Sequence, residues 1–392
     1  MKHPLILAAL IAAPVLAQVP AGPSKIQIEV APGSTLTDNV RPSTTNRNVT
    51  ITRNPQDEVT ATFPVHMHQG LRVDLSAVPA PFPGYGEVRI KDTTEEPVTT
   101  SDGAFRAQCQ FAKIADVDPI VYPGMPVKSH THTFFGNADI DPWSDVTTLT
   151  TTGNSTCKGG IANRSSYWVP TLIDIETSRP MLPEAMFTYY KASRFTQHGQ
   201  TPRPGQPTIH FENLPIGLKI VAGDPQRQTP ATGSNAMAYR WTCGTTFAYH
   251  IPQDPAACPV GSTLTQEIFF PQCWDGQNLD SPDHKSHMSY TVNVKNVGTS
   301  GFHAECPPTH PKVLPGISFQ VRYTVTVDVR RLRLVSDVNT ANLPGITSHG
   351  DVFVAWKKEV ADMFVENCIR AGKECAAHLL GKDSTGQLKA LY

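Results

Sequence analysis

Residues 318–325 read SFQVRYTV, and this stretch decides the fold class. Its apolar residues alternate strictly with polar ones, which is the period of a β-strand with one buried side. Residues 330–335 repeat the alternation, with arginines on one side. Further short strand candidates, separated by proline and glycine, occupy residues 167–173, 217–222, 267–270, 288–294 and 317–327.

Many short strands separated by turn residues indicate a β-sandwich or a jelly roll. Strands do not alternate with long helices along this chain, so a doubly wound α/β fold is not favoured. We therefore predict a mainly β protein, with a sandwich-like or jelly-roll-like body, long ordered loops and one C-terminal helix.

The predicted C-terminal helix starts near Asp351 and ends near Gly372. Asp351 is a suitable N-cap or first-turn residue, since a carboxylate there interacts favourably with the helix dipole. Glycine is the common residue just beyond a helix end. The apolar positions fall close to a helical period and comprise Val352, Phe353, Trp356, Val360, Met363, Phe364 and Cys368.

The chain divides into four predicted segments. Residues 1–17 carry a basic start, a short apolar run and small residues before Gln18, the pattern of a secretory signal peptide. Residues 18–100 lack cysteine and contain alternating stretches at 49–52, 58–63 and 71–75, so we predict a β-rich extension. Residues 101–370 form the main domain, and residues 371–392 are predicted to be a loose tail.

Composition excludes some classes of protein. The net charge is −1 and charged residues make up 17% of the chain. No basic stripe of the kind that nucleic-acid binders carry is visible. After the signal peptide, no apolar run reaches the ~18 residues of a membrane span, so we predict no membrane anchor. The expected location is secreted or extracellular, or periplasmic if the source is a bacterium.

The eight cysteines agree with export, because an even number in an oxidising compartment indicates disulfides. No pair has the Cys-x-x-Cys spacing of many structural zinc sites. Eight cysteines allow 105 connectivities. We predict local pairing: Cys109–Cys157, Cys243–Cys258, Cys273–Cys306 and Cys368–Cys375.

The first candidate for chemistry is the His-x-His pair of His130 and His132. Residues i and i+2 of a strand point to the same side, so two imidazoles can meet one ligand or metal ion. Zinc and copper are the ions that such ligands suit. Hydrogen-bonded or exposed histidines without a ligand are the other interpretation.

The second candidate is the loop of residues 273–287, CWDGQNLDSPDHKSH, which is dense in ionisable groups. Asp283, His284 and His287 are candidates for a general base, a general acid or metal ligands. Asp280 and Lys285 are candidates for substrate binding, and Trp274 offers an apolar surface on which a sugar could stack. A loop in which the aspartates only accept backbone hydrogen bonds remains the other interpretation.

Two further segments carry histidines. His310, in the proline-rich run 306–311, is a candidate for substrate binding, since it would come near the loop if Cys306 and Cys273 were joined. His349 and Asp351 lie at the predicted start of the final helix, where free N–H groups favour anions. Trp168 and Tyr190 are candidate sugar-stacking residues, although core packing is the commoner role of such aromatics.

These groups, in this order, resemble an uncharacterised domain-of-unknown-function family of secreted fungal and bacterial proteins, in fungi often joined to WSC carbohydrate-binding modules. The resemblance covers about residues 105–368 and implies a role near extracellular polysaccharide. No WSC module is visible in this chain. The matching residues are Asp118–Val121 with Pro123-Gly124, Ser129–His132 with Gly136, Tyr167–Pro170, Tyr189-Tyr190, Ile220–Gly223, Phe270–Gly276, Asn278–His287, Cys306-Pro307 with His310-Pro311, and His349–Phe353 with Trp356.

Three hypotheses follow. The first is an enzyme acting on a polysaccharide, with Asp283, His284, His287, His132, His349 and Asp351 in one cleft. A hydrolase would use two carboxylates roughly 5–10 Å apart, and the candidates are Asp280, Asp283 and Asp351. A lyase would use a histidine or tyrosine base and a cation or an arginine near the uronate. The second is a non-catalytic glycan-binding or cell-wall-binding protein. The third is a protein that binds zinc or copper through His130, His132 and one of His284, His287 or His310.

Overall fold

The computed structural model describes residues 24–28, 50–53, 59–63, 70–100, 103–126, 128–192, 209–230, 238–295, 302–338, 343–376 and 378–392. The chain divides into two compact units, residues 1–67 and 68–392. In the first unit, β1 (Ser24–Ile28), β2 (Thr50–Arg53) and β3 (Val59–Phe63) form a sheet in the order β1-β3-β2. The predicted signal peptide lies outside the described residues.

The second unit is built mainly of strands. The first group comprises β4 (Ile90–Asp92), β5 (Val98–Thr99), β6 (Ala104–Cys109), β7 (Phe111–Ala115), β8 (His132–Gly136), β9 (Ser166–Pro170), β10 (Leu172–Asp174), β11 (Arg179–Pro180), β12 (Ala185–Lys191), β13 (Lys219–Gly223), β14 (Tyr239–Cys243) and β15 (Thr246–Ala248). The remaining strands are β16 (Thr263–Phe269), β17 (Cys273–Trp274), β18 (Met288–Ser289), β19 (Val292–Lys295), β20 (Phe302–Glu305), β21 (Lys312–Val313), β22 (Gly316–Thr324), β23 (Leu332–Leu334), β24 (His349–Phe353), β25 (Lys373–Glu374), β26 (Leu379–Lys382) and β27 (Leu388–Leu391).

Two sheets form the body. The larger has eight strands in the order β15-β14-β16-β22-β12-β6-β25-β5, and the smaller has five in the order β13-β24-β9-β8-β7. The predicted strand at 318–325 is β22, in which buried and partly exposed residues alternate. Its buried residues meet the other sheet, as when the rings of Phe319 and Tyr167 pack edge to face. This sandwich-like body confirms the predicted fold class.

The outer side of the five-stranded sheet carries a second, smaller core. Phe134, Trp168 and Phe353 project from three neighbouring strands into this core. Ile120 and Leu149 cover them from the loop after β7 and from the short helix α1 (Val146–Thr151). A buried apolar layer therefore lies over this sheet. The polar residues His132, His349 and Asp351 lie on the same strands, β8 and β24.

The C-terminal helix begins later than predicted. The helix α2 spans Lys358–Phe364 and continues as a π-helical turn over Val365–Arg370. Residues 349–353, predicted to open it, form β24 in the interior of the five-stranded sheet. All five are buried, and a strand buried on both sides lacks the alternation that identifies exposed strands. Asp351 is therefore not a helix cap, and the anion site predicted there is wrong.

Segment boundaries also differ from the predicted ones. Residues 70–100 belong to the second unit, where β4 pairs with β27 and β5 pairs with β25. The predicted strand at 71–75 is irregular up to a 3₁₀ turn at Leu75–Ala77. Residues 371–392, predicted as a loose tail, form β25 to β27, and Leu380 and Ala390 are fully buried. Apolar residues near a chain end can complete a sheet whose partner strand lies far away in sequence.

The four predicted disulfides are confirmed: Cys109–Cys157, Cys243–Cys258, Cys273–Cys306 and Cys368–Cys375. Four such bridges fit a protein of an oxidising compartment. Among the described residues, no helix has the length and apolar character needed to cross a membrane.

Candidate metal centre

The candidate centre begins with His132, the first residue of β8. Its side chain is fully buried, and its Nδ1 atom lies 2.9 Å from the carbonyl oxygen of Val117. A carbonyl can only accept, so Nδ1 carries the proton and Nε2 keeps a lone pair. His130 precedes it by two residues, and the two ring centroids are 4.3 Å apart. The His-x-His pair therefore projects to one side, as the strand period predicts.

The third imidazole belongs to His349, which opens β24 on the other side of β9. The sequence predicted His284, His287 or His310 for this place. Its Nδ1 atom donates to the carbonyl oxygen of Thr347 at 2.7 Å, so its Nε2 also keeps a lone pair. That Nε2 lies 3.1 Å from Nε2 of His130 and 3.4 Å from Nε2 of His132. Three ring nitrogens from two segments thus face one another around one point.

Gly223 allows this approach. It pairs with His349 in the β13–β24 ladder and has φ of +85°. A Cβ atom at this position would lie 2.3 Å from the carbonyl oxygen of Ser348 and 2.7 Å from the Cα of His349. Any other residue at position 223 would therefore displace β24 at His349. It would also be strained, because a positive φ favours glycine.

Two carboxylates lie next to His132. Asp118 accepts hydrogen bonds from the backbone N–H groups of Ile120 and Val121. Asp351 is 1% exposed, and neither of its oxygens has a hydrogen-bond partner among the described residues. One ligand atom from each of Asp118, His132 and Asp351 lies within 4.8 Å of the others. One ring nitrogen from each of His130, His132 and His349 likewise lies within 4.8 Å of the other two.

Burial dominates the ionisation of these groups. It lowers the pKa of His132 to about 3 and of His349 to about 4, and it lowers the pKa of His130 as well. Burial also raises the pKa of Asp118 to about 6. The pKa of Asp351 is raised well above its usual value by burial and by the neighbouring Asp118. A cation at the centre would reverse the carboxyl shifts, because it stabilises the ionised form.

A cavity of about 660 Å³ opens over this centre. The loop of residues 273–287 forms part of its wall through Asp283, His284 and Lys285. The structure therefore brings together three segments that sequence analysis singled out separately. The predicted site residues that line the cavity are His130, His349, Asp351, Asp283, His284 and Lys285, with His132 buried behind them.

Within this loop the aspartates have different roles. Asp275 and Asp283 accept backbone N–H bonds within their own turns, the self-contained interpretation considered above. The hydrogen bond from the backbone of Ser286 is the largest cause of a strongly lowered pKa for Asp283. Asp280 also accepts from the backbone N–H of Ser281, and in addition it accepts from Lys219 at 3.0 Å and from Nδ1 of His284 at 2.9 Å.

Two predicted histidines have structural contacts instead of free ring nitrogens. His287 is 1% exposed, with Nε2 donating to the carbonyl oxygen of Lys219 and Nδ1 beside the hydroxyl of Ser281. His310 places Nε2 2.8 Å from the carbonyl oxygen of Ser286 and Nδ1 beside Thr309. Both fix the loop from outside the cavity, so their predicted catalytic and binding roles have no geometric basis.

The predicted sugar-stacking residues are also placed differently. Trp168 and Tyr190 are fully buried. The Tyr190 hydroxyl bonds to Tyr167 and to Nε1 of Trp356, within the core between the sheets. Trp274 is half-buried and donates its indole N–H to the carbonyl oxygen of Asn278 at 2.7 Å, inside its own loop. None of these three rings lines the cavity.

One residue of the centre was not singled out for chemistry in the sequence. Asp118 follows β7 in an Asp-Pro turn, and only its place at the start of the family-like motifs marked it. The carbonyls of Val117 and Thr347, which fix the tautomers of His132 and His349, leave no signature in the sequence because every residue has a carbonyl.

A family model matches residues 118–356, from one carboxylate of the centre to the core tryptophan after β24. The matched family is the domain of unknown function DUF1996, and the chain belongs to it. Neither a curated protein nor a solved structure matches the chain.

Proposed function

We propose that this protein binds a divalent transition-metal ion, zinc or copper, on His130, His132 and His349. The observation that carries the proposal is the contact between Nε2 of His132 and Nε2 of His349 at 3.4 Å, both atoms bearing lone pairs. Two lone pairs at this distance repel unless a cation lies between them. A proton is unfavourable there at neutral pH, because burial keeps the pKa of His132 at about 3 and that of His349 at about 4.

The ligand spacing supports the same ion class. A tetrahedral zinc ion with bonds of ~2.0–2.1 Å to nitrogen holds its nitrogen ligands roughly 3.3 Å apart. The Nε2 of His349 lies 3.1 and 3.4 Å from the other two. The carbonyl partners of His132 and His349 are the outer contacts that metal-bound histidines commonly have.

The carboxylates add negative charge that an ion would compensate. Burying an ionised carboxylate without a partner is costly, and Asp351 has no hydrogen-bond partner among the described residues. A dication beside Asp351 and Asp118 removes this cost. The charges of three neutral imidazoles, two carboxylates and one dication then sum to zero.

Metal analysis of the purified full chain tests the proposal. We expect about one equivalent of zinc or copper after loading and dialysis, and a thermal midpoint that rises with metal concentration. His130→Ala should abolish both effects. His250→Ala, which changes a histidine bonded to the carbonyl of its neighbour Ile251, should leave them unchanged. Wild-type protein that takes up neither ion would contradict the proposal.

The cavity favours a second candidate function, an enzyme acting on extracellular polysaccharide. The 660 Å³ space lies over the proposed ion and is lined by polar and charged groups such as His284 and Lys285. Polysaccharide is the substrate class that the family resemblance implies, and the predicted signal peptide together with the disulfides is in keeping with secretion. A depolymerisation screen with zinc-loaded protein, read by mass spectrometry, tests turnover. Metal-independent glycan binding without any turnover would favour the non-catalytic interpretation.

A further inference from the structure

His284 has a strained backbone at the wall of the cavity. Its φ is +58°, and only two other described residues besides glycines have positive φ, Ser178 and Ala376. Such a conformation costs on the order of 1–3 kcal/mol and persists where the surroundings impose it. Here it lies in the cavity wall, between Asp283 and Lys285, which also line the space.

The imidazole of His284 has a fixed orientation. Its Nδ1 lies 2.9 Å from Asp280, and the same carboxylate accepts from Lys219 at 3.0 Å. Because a carboxylate accepts, Nδ1 carries a proton in the neutral ring and Nε2 is the basic nitrogen. No partner for Nε2 exists in the described part of the chain. The side chain is 22% exposed, and it lines the cavity.

This arrangement distinguishes His284 from its neighbours. His287 and His310, in and beside the same loop, use both ring nitrogens for contacts within the protein. His130, His132 and His349 direct Nε2 at the metal centre. Among these histidines, His284 alone combines an oriented ring with an Nε2 available to a bound substrate, the geometry required of a general base.

His284 and the metal centre share one cavity. His130 and His349 line it on one side, and His284 and Lys285 line it from the loop of residues 273–287. A substrate group bound to the ion would therefore lie in the space into which His284 and Lys285 project.

The carboxylates that the sequence predicted for catalysis, Asp280, Asp283 and Asp351, do not suit glycoside hydrolysis. That reaction needs two available carboxyl groups on opposite sides of the bond, about 5–10 Å apart. Asp280 is occupied by Lys219 and His284, and Asp283 by Ser281 and backbone N–H groups. Asp351 lies against Asp118 within 4.8 Å. β-Elimination instead requires a base and a cation, and it does not require a pair of carboxyl groups.

We propose that His284 is the base of this cavity and that it cleaves a uronate-containing polysaccharide by β-elimination, with Asp280 as a positioning residue. The proposal depends on the metal site proposed above, because the ion holds the uronate carboxylate and stabilises the charge that develops on it. Lys285 adds a second positive charge in the same space.

The step is balanced without an oxidant. The C5–H bond of the uronate breaks and its proton moves to Nε2 of His284. The electron pair forms a C4–C5 double bond, and the bond between C4 and the glycosidic oxygen breaks. The leaving oxygen takes a proton from water, and the hydroxide that remains is neutralised by the proton on His284, which restores the base. The products are one fragment with a new reducing end and one fragment whose non-reducing end is a 4,5-unsaturated uronate, which absorbs in the ultraviolet.

Zinc-loaded full-length protein with polygalacturonate and with alginate as probes tests the proposal. Wild type should generate ultraviolet absorbance on at least one probe. His284→Gln should reduce kcat by about 10²- to 10⁴-fold, the usual contribution of a general base. Asp280→Asn should reduce kcat by about 10- to 100-fold with little change in KM, as expected when an outer partner is lost. Zinc content and thermal midpoint verify that each variant is folded and loaded.

His378→Gln is the matched control, since His378 pairs with Glu95 as His284 pairs with Asp280 but lies outside the cavity. It should keep wild-type turnover. The proposal is overturned if zinc-loaded wild type shows no absorbance increase on either probe, if reducing ends appear without it, or if folded His284→Gln and His284→Asn keep full activity. A protein that binds no zinc would instead identify failure of the metal proposal.

Discussion

His130 and His349 are 219 positions apart in the sequence, and their Nε2 atoms lie 3.1 Å apart in the fold. His130 precedes β8, and His349 opens β24. The strand β9 lies between these two strands in the sheet. The side chains therefore meet above β9, where His132 pairs with Pro170, a residue without an N–H group for the ladder. The proposed centre thus depends on sheet order and not on a local sequence motif.

Removing one ligand should sharply weaken metal binding. His349→Ala should reduce zinc affinity by more than about 100-fold, because even the loss of an outer partner of a ligand costs about 10- to 100-fold. Isothermal titration calorimetry of the metal-free proteins measures the change. His378→Ala serves as the control, and equal affinities for His349→Ala and wild type would remove His349 from the centre.

Asp351→Asn should have opposite effects on stability and on metal binding. In the metal-free protein at pH 7 to 8 the variant should be more stable than wild type by about 1 kcal/mol or more. The reason is that wild type must bury the carboxyl group of Asp351, and burial raises its pKa well above the usual value. The same variant should bind zinc more weakly, because a neutral amide does not compensate the ion. Urea unfolding with and without zinc measures both effects. A variant less stable than wild type in the absence of metal would contradict the burial argument.

Acidification should destabilise the metal-free protein. The unfolded chain protonates His132 and His349 near pH 6.5, whereas the folded protein does so only near pH 3 and pH 4. Their contribution is complete above pH 6.5 and is lost as the pH falls towards 4 for His349 and towards 3 for His132, on the order of a few kcal/mol. Asp118 and Asp351 oppose this loss, because the folded pKa of Asp118 is raised to about 6 and that of Asp351 is raised well above its usual value. His132→Gln should flatten the profile measured by denaturant unfolding; an unchanged slope would show that His132 is not buried in the neutral form.

Tyr190→Phe should destabilise the fold without affecting the cavity. The change removes a hydroxyl that bonds to Tyr167 and to the indole N–H of Trp356, all three fully buried. Leaving the indole N–H without a partner costs about 1–3 kcal/mol. We expect a lower unfolding midpoint and unchanged zinc affinity. Unchanged stability combined with weaker glycan binding would restore Tyr190 as a substrate contact.

The disulfides should differ in their contribution to stability. Replacing both cysteines of the Cys273–Cys306 pair by alanine should cost more than the same change at Cys368–Cys375, because the first closes a sequence separation of 33 and the second of only 7. The chain-entropy estimate is about 3–4 kcal/mol for the longer loop. Chemical denaturation of the two double variants compares them, and a larger loss at the shorter loop would contradict the entropic explanation.

Local patterns predicted the strands that have one exposed side. The alternation at 318–325 identifies β22, since each second side chain enters the core. The same reasoning failed for β24, where every residue is buried and Val352 to Trp356 imitate a helical repeat. The His-x-His pair was recognisable because its histidines are separated by one residue, and the loop was recognisable from its density of charged residues.

The sequence by itself determined the fold class and the segments that carry chemistry, because these depend on strand periodicity and residue types. Only the tertiary structure decided which ring nitrogens are free. His284 and His287 are three residues apart and chemically identical, yet one faces the cavity and the other is buried against Lys219. That difference arises from the backbone twist at His284 and from partners supplied by β13, which residue type and local spacing do not encode.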